Sequence, residues 1–167
     1  MCASARVRVR DVAPEDLDGV LALNNAHARE VNAHTAESLG AAVARAARAR
    51  IVPRQARDER GCDAFLIAFD ETTPAQGPNH AWFLAREPRF LYIDRVVVAP
   101  AARGRGLARA LYEDLAAAGA GRPQCCEVNL DPPNPESVAF HERLGFVHLD
   151  EATDPRNGKR IVYLIRR

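Results

Sequence analysis

The 167-residue sequence predicts a mixed α/β domain, one mixed sheet with helices on both faces. Three observations predict it. FLYIDRVVV, residues 90–98, is apolar on both faces, as a central strand is. Strand and helix patterns run in the order β-α-α-β-β-β-α-β-α-β-β, with helices between only some of the strands. The chain is long enough to bury a real core and has no internal repeat or low-complexity linker, so residues 1–167 read as a single domain.

RVRVRDV (6–12) alternates apolar and charged residues, the period of a half-exposed strand. Residues 13–30 read as a helix with Pro14 and acidic groups in its first turn. Leu17, Val20, Leu21, Asn24 and Ala28 form its stripe, so Asn24 interrupts the face that should be buried. A second helix spans roughly 35–50 on Leu39, Val43 and Ala47. Residues 51–71 read as a strand, a turn at Glu59-Arg60-Gly61 and a strand. TTPAQGPNHAWFLAREPR (72–89) reads as a long polar loop holding Trp82 and Phe83. After the 90–98 strand come a helix over 104–119, a strand over 124–130, a helix ending at Gly145, and two strands near 146–151 and 160–166.

Twenty-three basic and 22 acidic residues leave a formal charge of +1, which argues against a nucleic-acid binder or a polybasic membrane clamp. An RNA-binding reading of RAARARIVPRQARDER (45–60) fails on the acidic residues spread through the chain. Lys159 is the only lysine and alanine is abundant, a bias expected of a GC-rich bacterial genome. Cys2, Cys62, Cys125 and Cys126 form no CxxC or CxxH pair, so neither a metal site nor a disulfide framework is expected. With no signal-like h-region and no apolar run near the ~20 residues a membrane span needs, a cytoplasmic protein is expected. Dimerisation through the terminal strands is left open.

The chemistry-bearing stretch is VVVAPAARGRGLARAL (96–111), where a buried strand runs into Arg103-Gly104-Arg105-Gly106 and at once into a helix. Glycines let a backbone approach a ligand closely, and the first N–H groups of a helix are unpaired and favour an anion. A phosphate cradle is therefore expected. It is not a P-loop, because no lysine or hydroxyl follows Gly106, and not a G-x-G-x-x-G turn, because Arg109 stands at the third glycine's place.

Those residues resemble the acetyl-CoA-binding signature of the GNAT acetyltransferase superfamily, Q/R-x-x-G-x-G/A, here Arg103-x-x-Gly106-x-Ala108. NPESVAFHERLGF (134–146) is similar to that family's second motif through Asn134, Ser137, Phe140, His141, Gly145 and Phe146, with His141 where the family usually has tyrosine. The resemblance implies the GNAT acyl-CoA N-acyltransferase fold, a mostly antiparallel mixed sheet splayed between strands 4 and 5. It implies acetyl-CoA as co-substrate and no metal. The pantetheine arm would pair with Val96 and Val98, and the diphosphate would lie on the amides of Gly104, Arg105, Gly106, Leu107 and Ala108. Arg103, Arg105 and Arg109 would flank it, with Asn134 and Ser137 as further cofactor contacts. Asn134 before Pro135 is also a good N-cap.

Acetyl transfer to an amine needs proximity, a base for the acceptor and a proton for the leaving thiolate. His141, Asp94, Glu127 and Tyr92 are the catalytic candidates. His141 shares an inward stripe with Ser137, Phe140 and Leu144 and either donates the thiolate's proton or is a core residue; His141→Phe should then slow transfer without loss of coenzyme binding. Asp94, on the face of Tyr92 and Val96, is a base or part of an ion pair at the splay. Glu127, on the face of Cys125 and Asn129, is a base or an ordinary solvent-facing residue. The acceptor site draws on Asn24, Asn25, His27, Trp82 and Phe83, with His80 also in the loop; Trp82 and Phe83 either line it or anchor the loop to the core. A small-molecule amine or amino acid is the expected acceptor, and a non-catalytic acyl-CoA sensor on the same fold is the alternative.

Overall fold

The computed structural model describes residues 7–54 and 61–167. Cys2 and the turn expected at Glu59-Arg60 lie outside them. The strands are β1 (Arg10–Asp11), β2 (Arg48–Pro53), β3 (Cys62–Asp70), β4 (Leu91–Val98), β5 (Gln124–Asp131), β6 (Val147–Thr153) and β7 (Arg160–Arg166). The helices are α1 (Leu17–Ala26), α2 (Ala28–Val31), α3 (Ala36–Arg45), α4 (Pro78–Leu84), α5 (Leu107–Ala118) and α6 (Pro135–Arg143). The strands form one sheet in the order β1-β2-β3-β4-β5-β7-β6. β1 with β2, β5 with β7 and β6 with β7 run antiparallel, while β4 runs parallel to β5 at Leu91↔Gln124 and Tyr92↔Cys125. The mixed, mostly antiparallel sheet of the GNAT fold is present.

The chain divides into two compact units. Met1–Ile67 with Arg95–Leu115 makes the first. Its core is Val20, Leu39, Ile51, Phe65, Leu66, Ile67, Leu111, Tyr112 and Leu115, all sealed from solvent. Thr35 caps α3: its Oγ1 accepts from the Ser38 amide at 3.1 Å while Ser38 Oγ accepts from the Thr35 amide at 3.0 Å. Asp114 on α5 takes both Nε and Nη2 of Arg50 at 2.6 and 2.8 Å, tying the helix to β2.

Ala68–Asp94 with Ala116–Arg167 makes the second unit. β5 and β7 pair along their length, and Ile161–Ile165 is buried throughout, so β7 is a core strand. Phe69, Phe90 and Tyr92 surround the His80 ring, which lies 5.1 Å from Tyr92 in a stack, and Phe83 packs on Phe90 and Tyr92. Asn134 Oδ1 accepts from the Ser137 amide at 3.2 Å and Pro135 opens α6. Gly145 at φ +89° ends that turn, a conformation costly for any residue with a Cβ.

Several sequence expectations are corrected. The 72–89 stretch is not all loop: α4 starts after Gly77, at φ +102°, with Pro78 in its first turn. It is held not by a long amphipathic stripe but by burial of Asn79, His80 and Phe83, which periodicity over seven residues does not reveal. The 13–30 helix is a 3-10 turn at Pro14–Asp16 followed by α1 and α2, broken at His27, whose backbone leaves helical geometry. Its buried residues are Val20, Leu23 and Asn24. The 35–50 helix stops at Arg45 because β2 claims Arg48 onward, so Ala47 belongs to the connection. Of the 6–12 strand, Arg10–Asp11 forms β1. The helix expected from 104 starts at Leu107, the glycines forming the turn before it.

Candidate active site

In the first unit, Gly104 and Gly106 sit at φ +74° and +75°, the left-handed region that L side chains avoid. A Cβ added at either would meet no protein atom within 4 Å, so the turn borders open space. α5 begins there, and its first amides have no carbonyl one turn earlier to bind. Twelve residues of helix place their dipole's positive end at the same spot. Arg105 Nη1 lies 3.1 Å from Asp63 Oδ2, Arg103 Nη2 lies 3.4 Å from His27 Nε2, and Arg109 is 4.0 Å from Glu113. These arginines are exposed and held by weak surface pairs. The donor set fits a diphosphate: backbone amides, a helix start, glycines in the one conformation that leaves room, and cations nearby. Val96 and Val98 on β4 are partly buried.

Asn24, Asn25 and His27 occupy the end of α1. Asn24 is fully buried, accepting from Arg95 Nη1 at 2.9 Å and donating to Asn25 Oδ1 and the Asn32 carbonyl at 3.0 Å each. Asn25 exchanges two 2.9 Å hydrogen bonds with the backbone of His34. His27 Nδ1 is 3.0 Å from the Leu23 carbonyl. The asparagine that breaks the apolar stripe therefore knits the chain between α1 and α3.

In the second unit, Tyr92, Asp94 and Glu127 come together. Tyr92 Oη donates to Glu127 Oε1 at 3.1 Å, and Asn79 Nδ2 donates to the same oxygen at 2.9 Å. Glu127 Oε2 is buried and has no hydrogen-bond partner. Burial first, then the nearby Asp94 charge, raises the Glu127 carboxyl to about 7, against the lowering effect of Tyr92, Asn79 and Arg156. Tyr92 is pushed well above its ordinary value by burial and by Glu127, so it stays a hydroxyl and a donor. Glu127 is thus no ordinary solvent-facing strand residue; it is a carboxyl that takes and gives a proton near neutrality.

Three members of this cluster were not found in the sequence. Asn79 also donates to Asp154 Oδ2 at 3.4 Å and accepts from Tyr163 Oη at 3.0 Å. Asp154 is gripped by Arg156 through Nη2 at 2.6 Å and Nε at 3.0 Å, which holds its carboxyl below the ordinary value. Gly77-Pro78, a helix-start pairing, was the one local signal that pointed toward Asn79. Nothing local marks Tyr163 or Asp154. Trp82 is half-buried and stacks on the Tyr163 ring at 4.1 Å, and the Arg86 guanidinium lies 4.2 Å over the Trp82 ring. Phe83 is fully buried and meets Tyr163 edge-on, the anchoring role of the two considered for it.

His141 on α6 is buried, with Nδ1 2.7 Å from the Ser137 carbonyl. That contact puts the ring proton on Nδ1, and burial lowers the histidine below its ordinary value, so the ring is neutral at pH 7. Phe140 and Phe146 pack edge-on against it. Among the described residues no cluster of three or more His, Cys, Asp or Glu is arranged to hold a metal, and no helix is long and apolar enough to cross a membrane.

Residues 78–146 match the Acetyltransferase (GNAT) family. No curated protein sequence matches the chain. The fold is shared with solved structures at low identity. Arabidopsis thaliana NAA60 in complex with a bisubstrate analogue aligns at TM-score 0.74 and 16% identity over 95% of this chain and 96% of that one. Chaetomium thermophilum Naa20, also with a bisubstrate analogue, gives 0.71 and 19% over 96% and 86%. A GNAT superfamily phosphinothricin acetyltransferase from Sinorhizobium meliloti in complex with AcCoA gives 0.68 and 16% over 95% and 86%. Residues 78–146, which include the glycine turn at the start of α5, thus match the GNAT acetyltransferase family, and the sheet with its parallel β4–β5 pair shares the fold of these acetyltransferase structures.

Proposed function

We propose that the protein transfers acetyl from acetyl-CoA to the primary amine of a small molecule or amino acid, with Glu127 as the general base. The observation that carries this reading is Glu127 Oε2, a buried carboxylate oxygen with no partner, on a group that titrates at about 7. A base is most effective when its pKa lies near the working pH. Bound acetyl-CoA would supply the activated thioester carbonyl. The amides of residues 104–108 and the side chains of Arg103 and Arg105 would hold its diphosphate.

The chain's own part of the chemistry is a proton transfer and its timing. An amine arrives as an ammonium ion and must lose a proton before its nitrogen can attack. Glu127 Oε2 takes that proton directly or through one water, while Tyr92 and Asn79 keep Oε1 occupied. Asp94 adds a second negative charge that favours a cationic acceptor at this place. As the new amide bond forms, the C–S bond breaks and the sulfur needs a proton. His141 can give one only as an imidazolium, from Nε2, because Nδ1–H is directed at Ser137; its neutral state makes it a weak donor.

A peptide's N-terminal amine offers the same reacting group, and the NatC complex bound to Gag peptide and CoA shares this fold at TM-score 0.71. One assay separates the readings: CoA thiol release with a panel of free amino acids, polyamines and short peptides with free or blocked N-termini. Turnover with small amines that rises through pH ~7 supports the proposal. Turnover confined to peptides moves the acceptor to the second class. CoA binding with no turnover on any acceptor favours the sensor.

A further inference from the structure

We propose that Asn79 is a positioning residue: its amide turns the Glu127 carboxylate so that Oε1 is held and Oε2 is left to take the acceptor's proton. This rests on the reading of Glu127 as the base. The argument is stereochemical. Asn79 Nδ2 faces two carboxylate oxygens, Glu127 Oε1 at 2.9 Å and Asp154 Oδ2 at 3.4 Å, while Oδ1 faces the Tyr163 hydroxyl at 3.0 Å. A flipped amide would set oxygen against both carboxylates, so only one orientation is satisfied. Tyr163 is itself held by its stack on Trp82. Asn79 is 2% exposed, and in that setting a misdirected or missing donor is costly.

Both hydrogen bonds that reach Glu127 arrive at the same oxygen, one from Tyr92 on β4 and one from Asn79 on α4. Two donors on one oxygen fix the plane of the carboxylate and leave the other oxygen bare. Asn79 also shields Glu127 from Asp154 by standing between two acceptors that would otherwise face each other, and Arg156 neutralises Asp154 from its far side. The titratable groups that face this carboxylate are Tyr92 and Asp94 from β4, Tyr163 from β7, Asp154 and Arg156 from the turn after β6, and Cys126 beside it in β5. Apart from Arg156, none favours the ionised form through its charge. The hydrogen bonds of Asn79 and Tyr92 must do so instead.

The test is the titration of Glu127 itself, followed by the 13C resonance of its carboxylate in protein labelled at the glutamate side chain and assigned with Glu127→Gln. No acceptor is present, so the reading does not depend on turnover. The wild-type resonance should titrate at about 7. Asn79→Ala should move it upward by about one unit, the worth of one hydrogen bond to a charged group. Asn79→Asp, which keeps the shape but places a third carboxyl between Glu127 and Asp154, should move it further. A mere packing role predicts no upward shift in Asn79→Ala, because the space it opens admits solvent to the carboxylate. A resonance unmoved or lowered in Asn79→Ala overturns the proposal. Should Asn79→Ala fail to fold by circular dichroism, Asn79→Leu, close in size and without the donor, takes its place with the same upward shift expected. The acidic limb of kcat/KM against pH should shift with the resonance. A resonance that shifts while the limb stays in place leaves Asn79's hold on the carboxylate standing and removes Glu127 as the base.

Discussion

At the start of α5, Gly104 and Gly106 bring backbone amides to the edge of open space, and the charges around them are exposed arginines. Around Glu127 the polar atoms are side chains, mostly buried, drawn from α4, β4, β5, β7 and the turn after β6. The first place is open and electropositive, and it is made of neighbours in the chain. The second is enclosed and electronegative, and its members are up to 84 residues apart. The difference teaches how two tasks are divided. A diphosphate needs several donors already aimed at one place, which the unpaired amides at a helix start provide. A proton acceptor that works at neutral pH needs a carboxylate made uncomfortable by burial, which only a folded core provides.

Removing the proposed base should have the largest effect. Glu127→Gln is expected to lower kcat by about 10²–10⁴ with the heat of acetyl-CoA binding unchanged in calorimetry; a drop of less than threefold would reassign the base. The opposite selectivity belongs to Gly106→Val. Its Cβ enters the open space in a left-handed backbone, so CoA binding should weaken about a hundredfold or more through lost amide hydrogen bonds. The fold should survive a strain of about 1–2 kcal/mol. If affinity is retained in Gly106→Val, the turn is not the cradle.

A third measurement sharpens the electronegative side without any substrate. The Glu127 carboxyl is raised from 4.5 unfolded to about 7 folded, so the folded state holds its proton more tightly. Between those values the native protein binds more protons than the unfolded chain, and wild-type stability falls as pH rises through the window. Glu127→Gln abolishes that slope. Its stability relative to wild type should therefore improve by on the order of 2 kcal/mol from pH 5 to pH 8 in urea unfolding. A constant difference across that range would mean that the carboxyl is not raised.

Smaller effects complete the contrast. Arg105 is half-exposed and already shared with Asp63, so Arg105→Ala should weaken CoA only about fivefold, and less so in high salt. His141→Phe should retain CoA binding and slow transfer by less than about tenfold, because a neutral ring is a poor acid. A loss as large as that of Glu127→Gln would make His141 the donor of the thiolate's proton.

The two regions were not equally legible. Glycine pairs, an adjoining helix and the apolar strand before it are local signals, and the turn before α5 was read from them in place. Tyr92, Asp94 and Glu127 stand out as polar intrusions into strands, yet nothing in the sequence ranks them. Whether Glu127 faced water or the core depended on β5 lying between β4 and β7. In the sequence Asn79 reads as part of a loop because α4 is short and is stabilised by what it buries, not by a repeating stripe. The spacing of α6 puts His141 on an inward stripe, and only the Ser137 carbonyl at 2.7 Å shows which nitrogen bears its proton.

By itself the sequence determined where chain direction changes, which strands are apolar on both faces and where backbone amides can face an anion. Those properties are set by φ/ψ preferences and periodicities that act over a few residues. Tertiary structure alone decided which carboxyl is buried with one oxygen held and the other left without a hydrogen bond. The energy of a buried charge depends on what surrounds it on every side, and those surroundings come from segments the chain brings together only on folding.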